Sequence, residues 1–341
     1  MKNSISRRSF LKAVGALSAA GALAACGGSS SSSTAASSTA ASVSAAADGQ
    51  KYTVGICQLV QHAALDAATQ GFEDALTAEF GDNVKFDFQN AQGDSATCAT
   101  IANGFVSSGV DLIMANATPA LQAAQSATNE IPVLGTSVTE YGVALGLTDF
   151  SGTVGGNISG TSDLAPLDQQ ADMITEWLPE ATKVGLLYCS AEPNSRYQIG
   201  EVAKCLSDKG IETKEFAFTD TNDVASVTQS AADYSDVVYI PTDNTAASNT
   251  EAIANVLVPA GVPAICGEEG ICKGCGVATL SISYYDLGVT TGKMAAKILT
   301  GESKVEEMPI EYAPKFTKEY NPTIAEALGI TIPDDYVAYE G

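Results

Sequence analysis

From Tyr52 onward, short apolar runs alternate with stretches whose apolar residues recur at three- and four-residue steps. Tyr52–Leu59 predicts a strand that stops at the polar pair Gln61-His62. Leu65, Ala68, Phe72, Leu76 and Phe80 then share one face of a helix. Val84–Asn90 predicts a strand, Cys98, Ile101, Ala102 and Phe105 a helix, and Leu112–Ala115 a short buried strand. Pro119 opens the next helix in its first turn, where the missing N–H costs nothing, and Pro132–Thr136 is the strand after it. The pattern restarts beyond a glycine-rich turn at Gly152–Gly160. Asp168–Leu178 is a helix closed by Pro179, Lys183–Tyr188 a strand, and Ser195–Lys209 a helix ended by Gly210. Glu212–Phe218, Val237–Ile240 and Ala264–Cys266 are strands separated by helices.

Strands and helices that alternate in this way build parallel sheets covered on both faces. Two runs of similar length predict an α/β fold of two doubly wound parallel-sheet lobes. The helix Tyr285–Leu299 and the proline-punctuated tail from Pro309 are expected to cross back between the lobes. The N-terminal lobe is then residues 51–161 plus about 284–308, and the C-terminal lobe 162–283 plus about 309–341.

The first 25 residues follow a different logic. Lys2, Arg7 and Arg8 precede an apolar segment, Ala13–Ala25, which is shorter than the roughly 20 residues of a dependable membrane span. A basic start, an apolar middle and small residues before a cut describe an export signal. Ser6-Arg7-Arg8-Ser9-Phe10-Leu11-Lys12 resembles the twin-arginine motif, and Leu23-Ala24-Ala25-Cys26 resembles the lipobox of bacterial lipoproteins. That resemblance implies cleavage before Cys26, lipidation of that residue and attachment to the outer face of the cell membrane. Residues 26–50, nearly all Ser, Ala, Thr and Gly after Cys26, bury too little apolar surface to offset their ordering entropy and read as a flexible leash.

Composition excludes some partners. The signal carries four of the 17 basic residues and none of the 40 acidic ones, so the remainder has a formal charge of −27. Nucleic acid and anionic membrane surfaces both demand basic patches and are not expected partners. Seven cysteines follow Cys26. Cys57, Cys98, Cys189, Cys205 and Cys266 sit among apolar neighbours and read as small buried hydrophobes. Cys272-Lys273-Gly274-Cys275 is a CxxC whose plain-thiol reading stands ahead of a local disulfide and then of zinc. Zinc would need a second ligand pair, and the one histidine, His62, is far away in sequence. No cofactor or metal is expected.

In open α/β sheets, ligands sit beyond the carboxyl ends of the strands. Those positions hold Gln58 and His62, Asn90 and Gln92, Asn116 and Thr118, and Ser137 and Thr139 in the first lobe. The second lobe offers Glu192, Asn194 and Ser195, then Asp243 and Asn244, then Glu268 and Glu269. Each also suits a helix cap, so a capping role stands beside a ligand role at every one. Their crowding on facing edges of two lobes points to a cleft. Trp177 is expected in the core, and Arg196, the one arginine beyond the signal, either clamps a carboxylate or faces solvent.

Several of these segments carry a family resemblance. They include Val54-Gly55-Ile56-Cys57-Gln58, Gln89-Asn90-Ala91-Gln92-Gly93-Asp94, Ala117-Thr118-Pro119-Ala120, Pro241-Thr242-Asp243-Asn244 and Tyr284-Tyr285-Asp286-Leu287-Gly288. From Tyr52 to the C-terminus the chain resembles the substrate-binding lipoproteins of ABC transporters that include tryptophan- and other aromatic-amino-acid-binding proteins. Glu140 and Ser283 stand where that family commonly has Asp. The resemblance implies a type I periplasmic-binding fold, its two lobes joined by a hinge and closing around one solute, and permease and ATPase subunits as partners of a monomer. It also implies a receptor that delivers the solute unchanged.

An amino acid suits the residues. A buried ammonium must be paired, with Asp243 the first choice and Glu268 the second. A carboxylate can be held by helix N-terminal amides and hydroxyls, for which Thr118, Ser137 and Ser195 are placed. Catalysis finds little support. No GxSxG elbow accompanies His62, and Gly288–Lys293 lacks the P-loop spacing. The alternatives are a sensing or adhesive surface lipoprotein on the same fold, or transport of a different solute.

Overall fold

Strand β1 (Tyr52–Gln58) is buried along nearly its whole length, as a parallel strand covered on both faces must be. The computed structural model describes Gly49–Tyr339, so the export signal, Cys26 and most of the linker lie outside the described residues. After β1 come α1 (Ala63–Phe80), β2 (Val84–Asn90), α2 (Ser95–Ser108), β3 (Leu112–Asn116), α3 (Thr118–Ala127), β4 (Val133–Val138), α4 (Tyr141–Leu145) and β5 (Ile158–Ser162).

The second run holds α5 (Leu167–Trp177), β6 (Lys183–Cys189), α6 (Pro193–Asp208), β7 (Glu212–Phe218), α7 (Val224–Ala232) and β8 (Val237–Ile240). It continues through α8 (Asn244–Ala247), α9 (Thr250–Ala260), β9 (Ala264–Cys266), α10 (Glu269–Cys275) and β10 (Ala278–Ser281). The chain ends with α11 (Tyr284–Leu299), β11 (Glu311–Tyr312), β12 (Thr317–Tyr320), α12 (Pro322–Leu328) and β13 (Val337–Ala338).

Two sheets result, in the orders β11-β5-β4-β3-β1-β2 and β13-β12-β10-β9-β8-β6-β7. The first is wholly parallel, and the second is parallel except where β12 runs against β10. The expected fold of two doubly wound α/β lobes is therefore what the chain adopts. Alternation along β1 sends Val54 and Ile56 into a core with Phe72, Leu76 and Met294, and Cys57 into a second core with Cys98 and Phe105. The other sheet divides likewise. Leu186, Tyr188 and Tyr239 face Trp177, whereas Leu187, Val238 and Ile240 face the helices on the opposite side. Trp177 is a core residue, its ring 4.9 Å from that of Tyr336 in an edge-on contact.

Three short segments join the sheets, at residues 163–166, 282–283 and 313–316. Because β11 still pairs with β5 at Thr161 and Ser162, the last return to the second sheet comes after Tyr312, a few residues later than expected. Ile282, Tyr284 and Leu287 pack there against Ala64 and Ala68 of α1, giving the crossings a small core of their own. Helices α1 and α11 approach so closely that a Cβ on Gly71 would overlap the Tyr285 carbonyl, and one on Gly288 the Ala68 carbonyl. Glycine is required for that contact.

Candidate functional site

The carboxyl ends of both sheets face one cleft, and buried amides fix the entry to it. Gln58 donates to Asp66 Oδ1 (2.6 Å) and the Val60 carbonyl (2.9 Å), and its own oxygen accepts from Thr69 Oγ1 at 2.7 Å. Asn116 donates to Thr69 Oγ1 and the Leu65 carbonyl. Both side chains are fully buried, so Gln58 acts as a brace that locks the start of α1 to the sheet. The brace sets the position of His62, which precedes α1 without capping it.

The other first-lobe candidates sit in unusual backbone. Ala117, just before Thr118, has φ 90°, Ser137 has φ 53° and Gln92 has φ 55°. Such values are costly for non-glycine residues and cluster at ligand clamps. Thr118 and Ser137 are buried, and among the described residues Ser137 Oγ has no hydrogen-bond partner. Asn90 shapes the turn after β2 by accepting from the Gln92 amide at 2.7 Å.

The second lobe holds its candidates in one network. Glu192 accepts from the Asn244 amide and side chain (3.0 and 2.7 Å) and from the Thr245 amide and hydroxyl (2.9 and 2.8 Å). Asn194 donates to Glu192 and to the Thr242 carbonyl, which leaves its oxygen buried and unpartnered. Asp243 accepts from the Cys189 amide (2.6 Å), Ser195 Oγ (2.8 Å) and the Ala246 amide (2.8 Å), capping α8. Burial, with the nearby Glu192 adding to it, pushes the Asp243 carboxyl up to about 8 against those three donors. Glu268 caps α10 through the Gly270 and Ile271 amides, and burial raises it to about 7. Arg196 is exposed and donates to the Ser190 carbonyl (2.7 Å), so its guanidinium serves its own lobe's surface.

The lobes meet where His62 Nε2 lies 3.3 Å from Asn244 Oδ1. Beside this contact is a cavity of only about 10 Å³, bordered by His62, Asp163, Thr242, Asp243, Glu268 and Tyr284. A larger space of about 260 Å³ opens past Asn244, between Gln92 and Pro119 of one lobe and Cys189 and Glu192 of the other. Another, of about 330 Å³, lies past Glu268 and Tyr284, toward Lys273 and Glu319. Thus His62, Asp243, Asn244 and Glu268 come together at the centre, and Gln92 and Glu192 flank it.

Sequence reasoning passed over Asp163 and Tyr284 as site residues. Asp163 follows β5, whose Ile-Ser-Gly-Thr-Ser composition lies partly inside the stretch read as a glycine-rich turn. A charged residue directly after a strand was the available signal, as at Asp243. Tyr284 Oη donates to Asp163 Oδ2 at 3.1 Å, tying the first crossing to the second. Cys272 and Cys275 are buried free thiols one turn apart on α10, beside Cys266.

The sequence matches the family described as "ABC transporter substrate binding protein" over residues 53–340. The chain belongs to that family. Residues 4–24 match the twin-arginine translocation signal. A tyrosine-binding protein of Clostridioides difficile (strain R20291) is 37% identical over 260 residues, 75% of each chain. Among solved structures, a Streptococcus pneumoniae ABC domain in complex with L-Trp is 33% identical, covering 84% of this chain and 97% of that one, with a TM-score of 0.80. A ligand-free, open substrate-binding protein with adhesive properties from Clostridium difficile is 37% identical, covering 85% and 100%, with a TM-score of 0.64. The ABC transporter substrate-binding chain described here thus follows the liganded structure more closely than the open one, although its sequence is nearer the latter. The direct contact of His62 with Asn244 agrees with closed lobes. The fold is the type I periplasmic-binding fold.

Proposed function

We propose that this protein is a monomeric lipoprotein, tethered through Cys26 outside the cell membrane, that captures an aromatic amino acid between its lobes for an ABC permease and its ATPase. It acts without catalysing a reaction on the solute. The observation that carries this reading is the convergence of Asp163, Asp243 and Glu268 with His62 and Asn244 on one interlobe cavity. Buried carboxylates there match a ligand's ammonium; Thr118 and Ser137 are the proposed neutral donors for its carboxylate, the Ser195 hydroxyl being already engaged by Asp243. Relatives that are described as binding tyrosine or L-Trp support an aromatic side chain.

The mechanism is hinge closure. A cavity of 10 Å³ is far below the roughly 300 Å³ of ordinary ligand pockets, so the lobes must stand further apart around a bound solute than they do here, and hinge motion supplies that room. The closed form is what a permease distinguishes from the empty receptor. The test is a thermal-shift screen of the purified protein against the twenty amino acids, nucleosides and common sugars. A ligand at a hundredfold excess over its Kd adds about 2.7 kcal/mol to stability. A shift with Tyr, Trp or Phe supports the reading. A shift with sugars or nucleosides alone replaces the solute, and no shift at all favours a sensing or adhesive role.

A further inference from the structure

The three carboxylates at the central cavity differ in how much of their accepting capacity the protein already uses. Both oxygens of Asp243 accept from the protein, as do both oxygens of Glu268. Asp163 is different. Its Oδ2 takes one bond from Tyr284 Oη, and among the described residues its Oδ1 has no hydrogen-bond partner, although Asp163 is only 4% exposed. Burial lifts the Asp163 carboxyl to about 6, with the bonded Tyr284 hydroxyl and the nearby Thr139 hydroxyl, which makes no hydrogen bond to it, pulling it back, so it ionises before Glu268 and Asp243 do.

A buried anion with a bare oxygen is costly until a cation reaches it. Among the described residues, no Lys or Arg borders this cavity. Its border offers an anionic ligand only neutral groups, such as the imidazole of His62. The charge asymmetry favours one end of a zwitterion over the other.

We propose that Asp163 is the counter-ion of the ligand's ammonium, and that the cleft requires this ammonium rather than a carboxylate, so that arylalkylamines are ligands alongside aromatic amino acids. The inference rests on the reading of the cleft as an aromatic amino-acid site. In it, Tyr284 holds Asp163 in place, and the ammonium supplies the missing donor to Oδ1. Asp243 and Glu268 are engaged in capping their helices, and both are raised further than Asp163, so the ammonium's charge is left to Asp163.

The experiment is calorimetric titration of the purified protein with three matched sets: Tyr, Trp and Phe; the amines tyramine, tryptamine and phenethylamine; and the corresponding arylpropionates. The amines should bind within about tenfold of the amino acids, and the propionates about a hundredfold or more weakly, a gap of about 2.7 kcal/mol. Asp163→Asn should lose about tenfold or more for amino acids and amines alike, while leaving the propionates unchanged. Propionates that rival the amino acids, amines that fail where amino acids bind, or an unchanged Asp163→Asn variant would each overturn the proposal and leave the amino-acid reading standing. Failure of every amino acid would overturn both. The series on the unsubstituted protein decides the matter even if the variant folds poorly.

Discussion

His62 and Asn244, 182 positions apart in the chain, meet across the cleft through a 3.3 Å hydrogen bond. One stands at the start of α1 and the other at the start of α8, so the bond exists only when the lobes are closed. Burial lowers the His62 pKa, and the bond to Asn244 together with the nearby Glu192 and Asp66 opposes that shift. A net contribution of about 0.5–1.5 kcal/mol is ordinary for such a bond. His62→Ala should therefore weaken ligand binding by about three- to tenfold, mainly through faster dissociation. Asn244→Ala should match it, and the double variant should lose little more than either one. Stopped-flow release rates for the set check this, and fully additive losses would show that the two residues act separately.

Glu192 organises the second lobe's edge. Its two oxygens receive five donors, from Asn194, Asn244 and Thr245, while the residue is 4% exposed. Hydrogen bonds to a charged group are worth about 1.5–3 kcal/mol, and stranded donors add a penalty. Glu192→Ala should cost about 3 kcal/mol in urea unfolding, with ligand affinity falling because Asn244 loses its support. A loss below about 1 kcal/mol would mean that water replaces the carboxylate readily.

Much of the fold was legible because parallel strands are apolar runs and their helices keep a regular stripe. Val84–Asn90, Glu212–Phe218, Val237–Ile240 and Ala264–Cys266 form the strands their composition predicts. β5 was not legible, since Ile-Ser-Gly-Thr-Ser lacks an apolar run and owes its pairing to β4 and β11. Losing β5 hid Asp163. Asp243 and Glu268 were visible as charges after strands, but sequence cannot tell a carboxylate already engaged by its own helix from one with an oxygen to spare. That distinction depends on backbone amides brought in by α8 and α10.

The glycines of α11 carry a prediction about packing. By intrinsic propensity, Gly288→Ala would stabilise a helix by about 1 kcal/mol. Here the added Cβ would overlap the Ala68 carbonyl, and backbone cannot yield as a side chain does. Overpacking of this kind costs about 1–3 kcal/mol, so the variant should melt at a lower temperature. The displaced α11 should also disturb Tyr284 and weaken ligand binding. Gly104→Ala in α2, where a Cβ would meet nothing within 4 Å, is the control and should be neutral or stabilising. Equal melting temperatures for the two variants would refute the steric argument.

The buried carboxylates make stability depend on pH. Asp163 rises from 3.8 to about 6, Asp243 from 3.8 to about 8 and Glu268 from 4.5 to about 7, in each case chiefly through burial. A carboxyl raised in the folded state binds more protons there than in the unfolded chain. Its stabilising contribution is therefore complete below the unfolded value and is lost as pH climbs through the folded one. His62 is lowered and opposes this, its contribution being complete above the usual histidine value and lost as pH falls below that through the lowered folded one. Three raised acids against one lowered base set the sign between about pH 4 and 8. The ligand-free protein should melt at a lower temperature at pH 8 than at pH 5. Asp163→Asn should flatten the part of the decline between about pH 4 and 6, and a saturating cationic ligand should reduce that same part by pairing Asp163. Differential scanning calorimetry across that range provides the check, and a melting temperature that rises steadily to pH 8 would contradict burial of ionisable carboxylates in the cleft.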